Sequence, residues 1–455
     1  MEENNNHLDR YQDILGQLPM LQAYSHILYM FPTPKNATRE EIVQSLEKAV
    51  CEVKEKVPWM GGRVVNVGRK SGNSGIYKVV PCAPPEAHIV IRDFSDTLPA
   101  YSAIKAKKAP LSMIDTRLLT PVPGFPRRFE DSDENPARVI WLQVSFVKGG
   151  LIIDFVIHHN MADAGGHFGF VKLVAMVMRG EKIPCYVIEQ ANRDRRSLFS
   201  LLAPNEPMLD HSHHKCRPPA GDSSFPMEPE QARYHVIRFT TTNMRRLKDL
   251  AQYHKTLDPN ISFISTDDIL CAFCWKHFTR VRLRRFKSDT RSRFSRAVDG
   301  RKALNIAPGY MGDVIHNVTT WLSFKELTEA PLGTVASHLR KNLIRLNTAY
   351  HIRSFASFIS SEPDKATITY GGQFNPSTDV GCSSIRGMTD AFPDFGLLGQ
   401  PDLIRRPPTD PFPGLLVLIP GSPGGDCDAY VCLTDTDMVA LSMDPEWTEY
   451  VEYIG

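Results

Sequence analysis

The stretch Val156–Phe170 reads VIHHNMADAGGHFGF. An apolar run ends in two histidines, Asp163 follows four residues after His159, and two glycines come next. A neutral imidazole held in one orientation serves as a general base near pH 7. The end of a buried strand is a stiff mount for such a ring. Gly165 and Gly166 would let a backbone or a ligand approach closely. Two rival readings stay open on these residues alone: a packed structural histidine and a metal site. His158, His159, Asp163 and His167 are the available ligands, but neighbours leaving a strand point to opposite faces, so His158 and His159 should not chelate together. No metal is expected. Spacing alone has little weight, because HKTLD repeats it at His254 and Asp258 in what reads as a solvated turn.

Other chemistry-bearing groups are weaker. His211, His213 and His214 lie beside Cys216 in a polar stretch and read as a flexible linker. Cys271 and Cys274 form a CxxC with apolar neighbours at helical spacing, which predicts helix core. Cys382, Ser383 and Ser384 sit in GCSSIRG, without the strand–elbow–helix pattern of a hydrolase nucleophile. No phosphate-binding glycine fingerprint occurs. The basic run Arg280–Arg296 reads as a solvated helix face.

These residues must be positioned by elements legible in the pattern. Strands are expected over Ala23–Phe31, in ARVIWLQVSFVKGG and in GLIIDFVIHH, the last two joined at Gly149–Gly150. GRVVNVG and GIYKVVP read as a hairpin. Thr38 and Glu41 form a capping box for a helix burying Leu46, Val50 and Val53, stopped by Pro58. A further helix runs to Gly180. Residues 82–136 are proline-rich and read as irregular. In the second half, RYHVIRFT is a strand and TTNMRRLKDLAQYH a helix, and a helix follows Ser265 or Thr266 as N-cap. GLLVLIP, DAYVCLT and DMVALSM read as late strands. The chain has 455 residues, which predicts two domains: 1–185, a crossover at 186–230, and 231–455. A net charge of +2 gives no field for nucleic acid or an anionic membrane. The N-terminus lacks a signal-peptide pattern, and no apolar run is long enough to span a bilayer. Nine scattered cysteines fit reduced thiols in the cytoplasm.

Four stretches together resemble the BAHD superfamily of CoA-dependent acyltransferases, in particular its fungal branch around the trichothecene O-acetyltransferases. HHNMADAGG resembles HHxxxDG. AVDGRKALNIAPGYMGDVIHNV is similar to V-D-x-R followed by P-x-G-Y-x-G-N. DFGLLGQP resembles DFGWG, and STDDILCAFCWK resembles a helix that begins S-T-x-D. They span nearly the whole chain. The resemblance implies a two-domain α/β fold like chloramphenicol acetyltransferase, with mixed, mostly antiparallel sheets and flanking helices. It implies His159 as base and Asp163 as structural support, paired with Arg301 near Asp299. Acetyl-CoA or another acyl-CoA is the implied co-substrate, with no permanently bound cofactor, and a lipophilic hydroxylated metabolite the acceptor, for a monomer. Ser265, Thr266, Lys276 and Arg296 are the candidate CoA contacts, and Ser383 with Ile385 the candidate acceptor wall. A metabolite- or carrier-binding relative without catalysis, or a condensation-type enzyme using carrier-bound acyl groups, are the alternatives. The sequence departs from the pattern at Ala164, at Leu397–Leu398, at Ile385 where a Trp is usual, and at Asp313 where Asn is usual.

Overall fold

A computed structural model describes residues 8–82, 89–216, 231–253, 258, 260–388 and 390–455. In chain order the first-half strands are β1 (Tyr24–Pro32), β2 (Gly62–Val67), β3 (Ile76–Pro81), β4 (Ile89–Asp93), β5 (Ile140–Val147) and β6 (Gly150–His158). The second half carries β7 (Ala232–Phe239), β8 (Arg291–Asp299), β9 (Ile315–Ser323), β10 (Val380–Ser384), β11 (Leu403–Arg405), β12 (Leu415–Pro420), β13 (Cys427–Thr434) and β14 (Glu452–Tyr453). The helices are α1 (Arg39–Lys56), α2 (Tyr101–Ala106), α3 (Thr116–Leu119), α4 (Ala164–Met178), α5 (Cys185–Ala191) and α6 (Thr241–Tyr253). They continue with α7 (Thr266–Arg282), α8 (Phe324–Glu329), α9 (Leu332–Leu346), α10 (Ala349–Ser361), α11 (Asp435–Ser442) and α12 (Pro445–Tyr450).

The strands form a five-stranded sheet, β11-β1-β6-β5-β4, a seven-stranded sheet, β14-β7-β13-β12-β10-β8-β9, and the separate hairpin β2-β3. Most pairs are antiparallel; β4 with β5, and β10 with β8 and β12, are parallel. The expected class, mixed sheets with flanking helices, is the one observed. β11 comes from the second half yet pairs with β1, so the chain returns to finish the first sheet.

Local signals explain the elements. Thr38 and Glu41 close the capping box of α1, and Ile42, Leu46, Ala49, Val50 and Val53 share its buried face. Each large side chain on that face contributes about 1.5–3 kcal/mol. β6 is buried along its whole length, with Phe155 and Ile157 in one core and Val156 in another. Phe395 of the DFG segment is fully buried and meets Tyr29, Phe31 and Phe155 edge-on or tilted, so this segment acts as a plug for the first core.

Four expectations are corrected. DMVALSM is largely helix: α11 runs Asp435–Ser442, because Thr434 caps the backbone N–H of Asp437 and Met438 and Leu441 share a buried side. The supposedly irregular 82–136 region holds β4, a short edge strand masked in sequence by its charged, exposed end. The basic run is not a solvated face: Arg280 pairs with Asp444 and Glu446, Arg285 with Asp437 and Arg296 with Asp268, each by two-partner or close contacts. His211 and His214 are buried against Phe355 of α10 rather than held in a loose linker. The rest of the crossover, 217–230, lies outside the described residues, as does His254 of the control motif; Asp258 accepts a hydrogen bond from Lys341 at 2.7 Å on the surface. Cys271 and Cys274 are buried in α7, as their spacing predicts, and none of the nine cysteines is in a disulfide.

Candidate active site

β6 delivers His159. The strand ends on the Tyr24↔His158 pair with β1, and the next backbone N–H, that of His159, donates to the Ala23 carbonyl at 2.8 Å. The main chain is therefore fixed one residue beyond the sheet. His158 turns away, fully buried, its ring edge-on to Tyr24 at 5.0 Å, and burial pushes its pKa down to about 3. The two histidines do not share a site, and no group of three or more metal-ligating side chains occurs among the described residues. His159 keeps 24% of its side chain exposed while its Nδ1 is buried without a hydrogen-bond partner. Burial lowers its pKa below the ordinary imidazole value, against an opposing pull from its own main chain and Asp163, so the ring is neutral at pH 7.

Asp163 faces away from this ring. Its Oδ1 caps α4 by accepting the Gly166 N–H at 3.1 Å, and its Oδ2 accepts the Val314 N–H at 3.0 Å. Arg301 grips it with two parallel bonds of 2.8 and 2.9 Å. Asp299 holds the same guanidinium at 3.0 Å, and the Gly312 carbonyl accepts from it at 2.7 Å. Burial pushes the Asp163 carboxyl up, but the guanidinium and the two N–H donors outweigh it and hold it below the usual carboxylate range. The glycines are explained by approach distance. A methyl on Gly166 would stand 2.0 Å from the Met311 carbonyl oxygen, and one on Gly165 would stand 3.1 Å from the Arg301 guanidinium. The loop 310–314 thus lies directly on the start of α4.

Three partners escaped the sequence. The Asn160 amide donates to the Gly16 and Leu18 carbonyls at 2.6 and 3.2 Å, tying the histidine loop to the N-terminal segment. Asp13 binds Arg195 at 2.8 Å, accepts the Asp313 N–H at 3.1 Å and takes the Tyr310 hydroxyl. These contacts join positions up to three hundred residues apart, and no local pattern marks them. The departure at Asp313 was the one available signal.

Three of the four candidate CoA contacts have partners within the fold. Lys276 is buried and donates to the Leu327 carbonyl at 2.6 Å and to the Ala330 carbonyl, closing the end of α8. Arg296 is committed to Asp267 and Asp268, and Ser265 caps α7 in a capping box with Asp268. Their polar groups are taken by these partners. Thr266 is half-buried at the first turn of α7. Ser384 donates to Asp267, and Ser383 pairs in register with Val417, a residue of the core shared with the first sheet. Ile385 is packed inside that same core, so it offers no open wall. A cavity of about 640 Å³ opens elsewhere, between α4 and the loops after β10 and β12, with Lys172, Arg179 and Arg386 on its lining. The Nε of Arg386 is buried without a hydrogen-bond partner.

Comparison with known proteins agrees with this geometry. The profile of the trichothecene 3-O-acetyltransferase-like N-terminal domain matches residues 23–177, and that of the Transferase family matches 125–448. The chain is 58% identical to O-acetyltransferase epaC of Aspergillus niger, over 98% of this chain and 97% of that one. It is 33% identical to the trichothecene 3-O-acetyltransferase TRI101 of Fusarium sporotrichioides, over 97% and 96%. Its fold superposes on TRI101 of F. graminearum, solved with coenzyme A and deoxynivalenol, with a TM-score of 0.90 at 31% identity, covering 98% of this chain and 99% of that one. A buried, arginine-clamped aspartate behind a strand-end histidine, on this fold and with these relatives, places the chain in the Transferase family of BAHD-type acyltransferases, on its fungal O-acetyltransferase side.

Proposed function

We propose that the chain moves an acyl group, acetyl first among candidates, from acyl-CoA to a hydroxyl of a lipophilic fungal secondary metabolite, with His159 as general base. The observation that carries this reading is the neutral, partly open ring of His159 on a backbone anchored to Ala23, in front of the Asp163–Arg301 clamp. The ring takes the acceptor's hydroxyl proton as the oxygen attacks the thioester carbonyl. The tetrahedral oxyanion forms, the C–S bond breaks, and the same proton passes to the departing CoA sulfur. The Ser383 hydroxyl is the proposed oxyanion donor. No activated nucleophile stands beside the base, so no covalent intermediate is invoked.

The CoA phosphates are assigned to the cavity whose lining includes Lys172, Arg179 and Arg386, and Thr266 is kept as a lesser candidate contact. The partnerless Arg386 Nε supports this, since an anion would satisfy it. The acceptor is proposed to approach His159 from the side of Arg406. A cytoplasmic location and a monomeric state are part of the same proposal. Among the described residues no helix is long and apolar enough to cross a membrane. The test is incubation with acetyl-CoA and a panel of hydroxylated polyketides and terpenoids, deoxynivalenol included. Release of free CoA together with a product heavier by one acetyl group is expected. An active-site-intact protein that releases no CoA with any acceptor would count against the reading.

A further inference from the structure

Two buried polar atoms in the site face each other, neither of them hydrogen-bonded to another residue through that atom. They are Nδ1 of His159 and Oδ2 of Asp313, 3.9 Å apart. An unpaired buried polar atom calls for a reason, and here two occur together beside the reacting ring. Asp163 cannot supply it, because Arg301, Val314 and Gly166 occupy its oxygens. Asp313 is held firmly from behind: its Oδ1 accepts the Ile315 N–H at 2.9 Å, and its own N–H donates to Asp13 at 3.1 Å. Only Oδ2 is free to turn toward the ring. Catalytic hydrogen bonds are often long without substrate and tighten when it binds.

We propose that Asp313 is the positioning residue of the base: on acceptor binding its Oδ2 accepts the Nδ1–H of His159, fixing the tautomer whose Nε2 is free to take the acceptor's proton. This rests on the acyl-transfer reading above. No atom changes hands at Asp313; the Nδ1 proton stays on the ring, and Nε2 receives and returns the transferred one. The groups facing Asp313 are Asp163, Asp13, Arg301, Tyr370 and His159 itself. Burial, and then Asp163, push its carboxyl well above the usual range, so its charge is the one most readily lost beside the base as pH falls. Protonation at Oδ2 also turns that atom from an acceptor for Nδ1–H into a donor.

The experiment is Asp313→Asn, assayed for kcat, KM and pH profile beside the wild type. An orienting partner of this kind is worth about 10- to 100-fold. The expected result is a kcat lower by about that factor, KM for acetyl-CoA unchanged, melting temperature retained, and the acid limb moved to lower pH. The amide cannot ionise, which leaves only the ring to titrate. In a His159→Ala background the same substitution should add no further loss. An unchanged kcat and acid limb in folded Asp313→Asn overturns the proposal, as does an equal extra loss in the His159→Ala background. Should Asp313→Asn fail to fold, ¹⁵N-histidine NMR of the wild type decides: an Nδ1–H tautomer at His159 supports the proposal and an Nε2–H tautomer overturns it. A wild type inert with every acceptor would instead indict the acyl-transfer reading.

Discussion

At the scale of residues, His159 and Asp163 of one short motif turn to different partners. The imidazole has its open edge for a substrate; the carboxylate looks the other way, into Arg301. A positioned base contributes about 10²–10⁴ in rate. His159→Ala should therefore lose about that much turnover while still binding CoA, measured by kcat and by calorimetric titration with CoA. Undiminished turnover would end the mechanism. Asp163→Asn acts differently. It leaves a buried guanidinium with a weakened partner, a loss on the order of 3–5 kcal/mol. The variant should express poorly or melt well below the wild type, and a well-folded but inactive variant would show instead that Asp163 takes part in the chemistry. At Arg386, replacement by Ala should raise KM for acetyl-CoA with kcat nearly intact, read in steady-state kinetics. An unchanged KM would move the phosphates out of that cavity.

At the scale of elements, what sequence revealed and what it hid follow from how local each cause is. The capping box of α1, the β5–β6 hairpin and the helical CxxC are decided within a few residues, and they stand where their patterns put them. DMVALSM failed as a strand because a cap three residues upstream of Asp437 outweighed a run of apolar residues. The partners of Lys276 and Arg296, the end of α8 and two aspartates, were not legible because they come from the fold and not from neighbouring sequence. The histidines of the crossover misled in the same way. His211 packs against His214 and against His351 of α10, which in turn meets His316 of β9. Burial lowers all four: His211 to about 3, His316 and His351 to about 4, and His214 well below its ordinary value. An unfolded histidine takes a proton near pH 6.5. Below that pH the unfolded chain binds protons that the folded chain refuses, so stability falls as pH drops from about 6.5 toward 4. Each histidine contributes up to about 1.4 kcal/mol per pH unit over that window. The melting temperature should drop clearly between pH 7 and pH 5.5, and His351→Phe should flatten the slope. A melting temperature that holds steady across the window would place these rings in solvent.

At the scale of the whole molecule, the two halves anticipated from length are joined by contacts that cross between them. β11 carries second-half residues into the first sheet, and its Arg405 is fully buried. That guanidinium donates to the Ala109 carbonyl at 2.9 Å in the first half and to Asp428 of β13 at 2.6 Å in the second sheet. Arg238 of β7 holds the same carboxylate by two bonds of 2.6 and 2.8 Å. The Asp163–Arg301 clamp is a second cross-half pin, and Phe395 in the first core is a third. A chain cut at residue 230 would lose β11, the Phe395 plug and the Arg301 partner together, leaving an open edge on β1, an aromatic hollow and a buried carboxylate without its cation. Fragment 1–230 should therefore fail to fold alone, giving no cooperative melt by circular dichroism, and the intact chain should unfold in one calorimetric transition. Arg405→Leu should lower that transition by an amount on the order of 3–5 kcal/mol without splitting it, because the other two pins persist. Two separated transitions in the wild type, or a soluble and cooperatively melting 1–230 fragment, would show that the halves fold as separate units and that the site is assembled only when they dock.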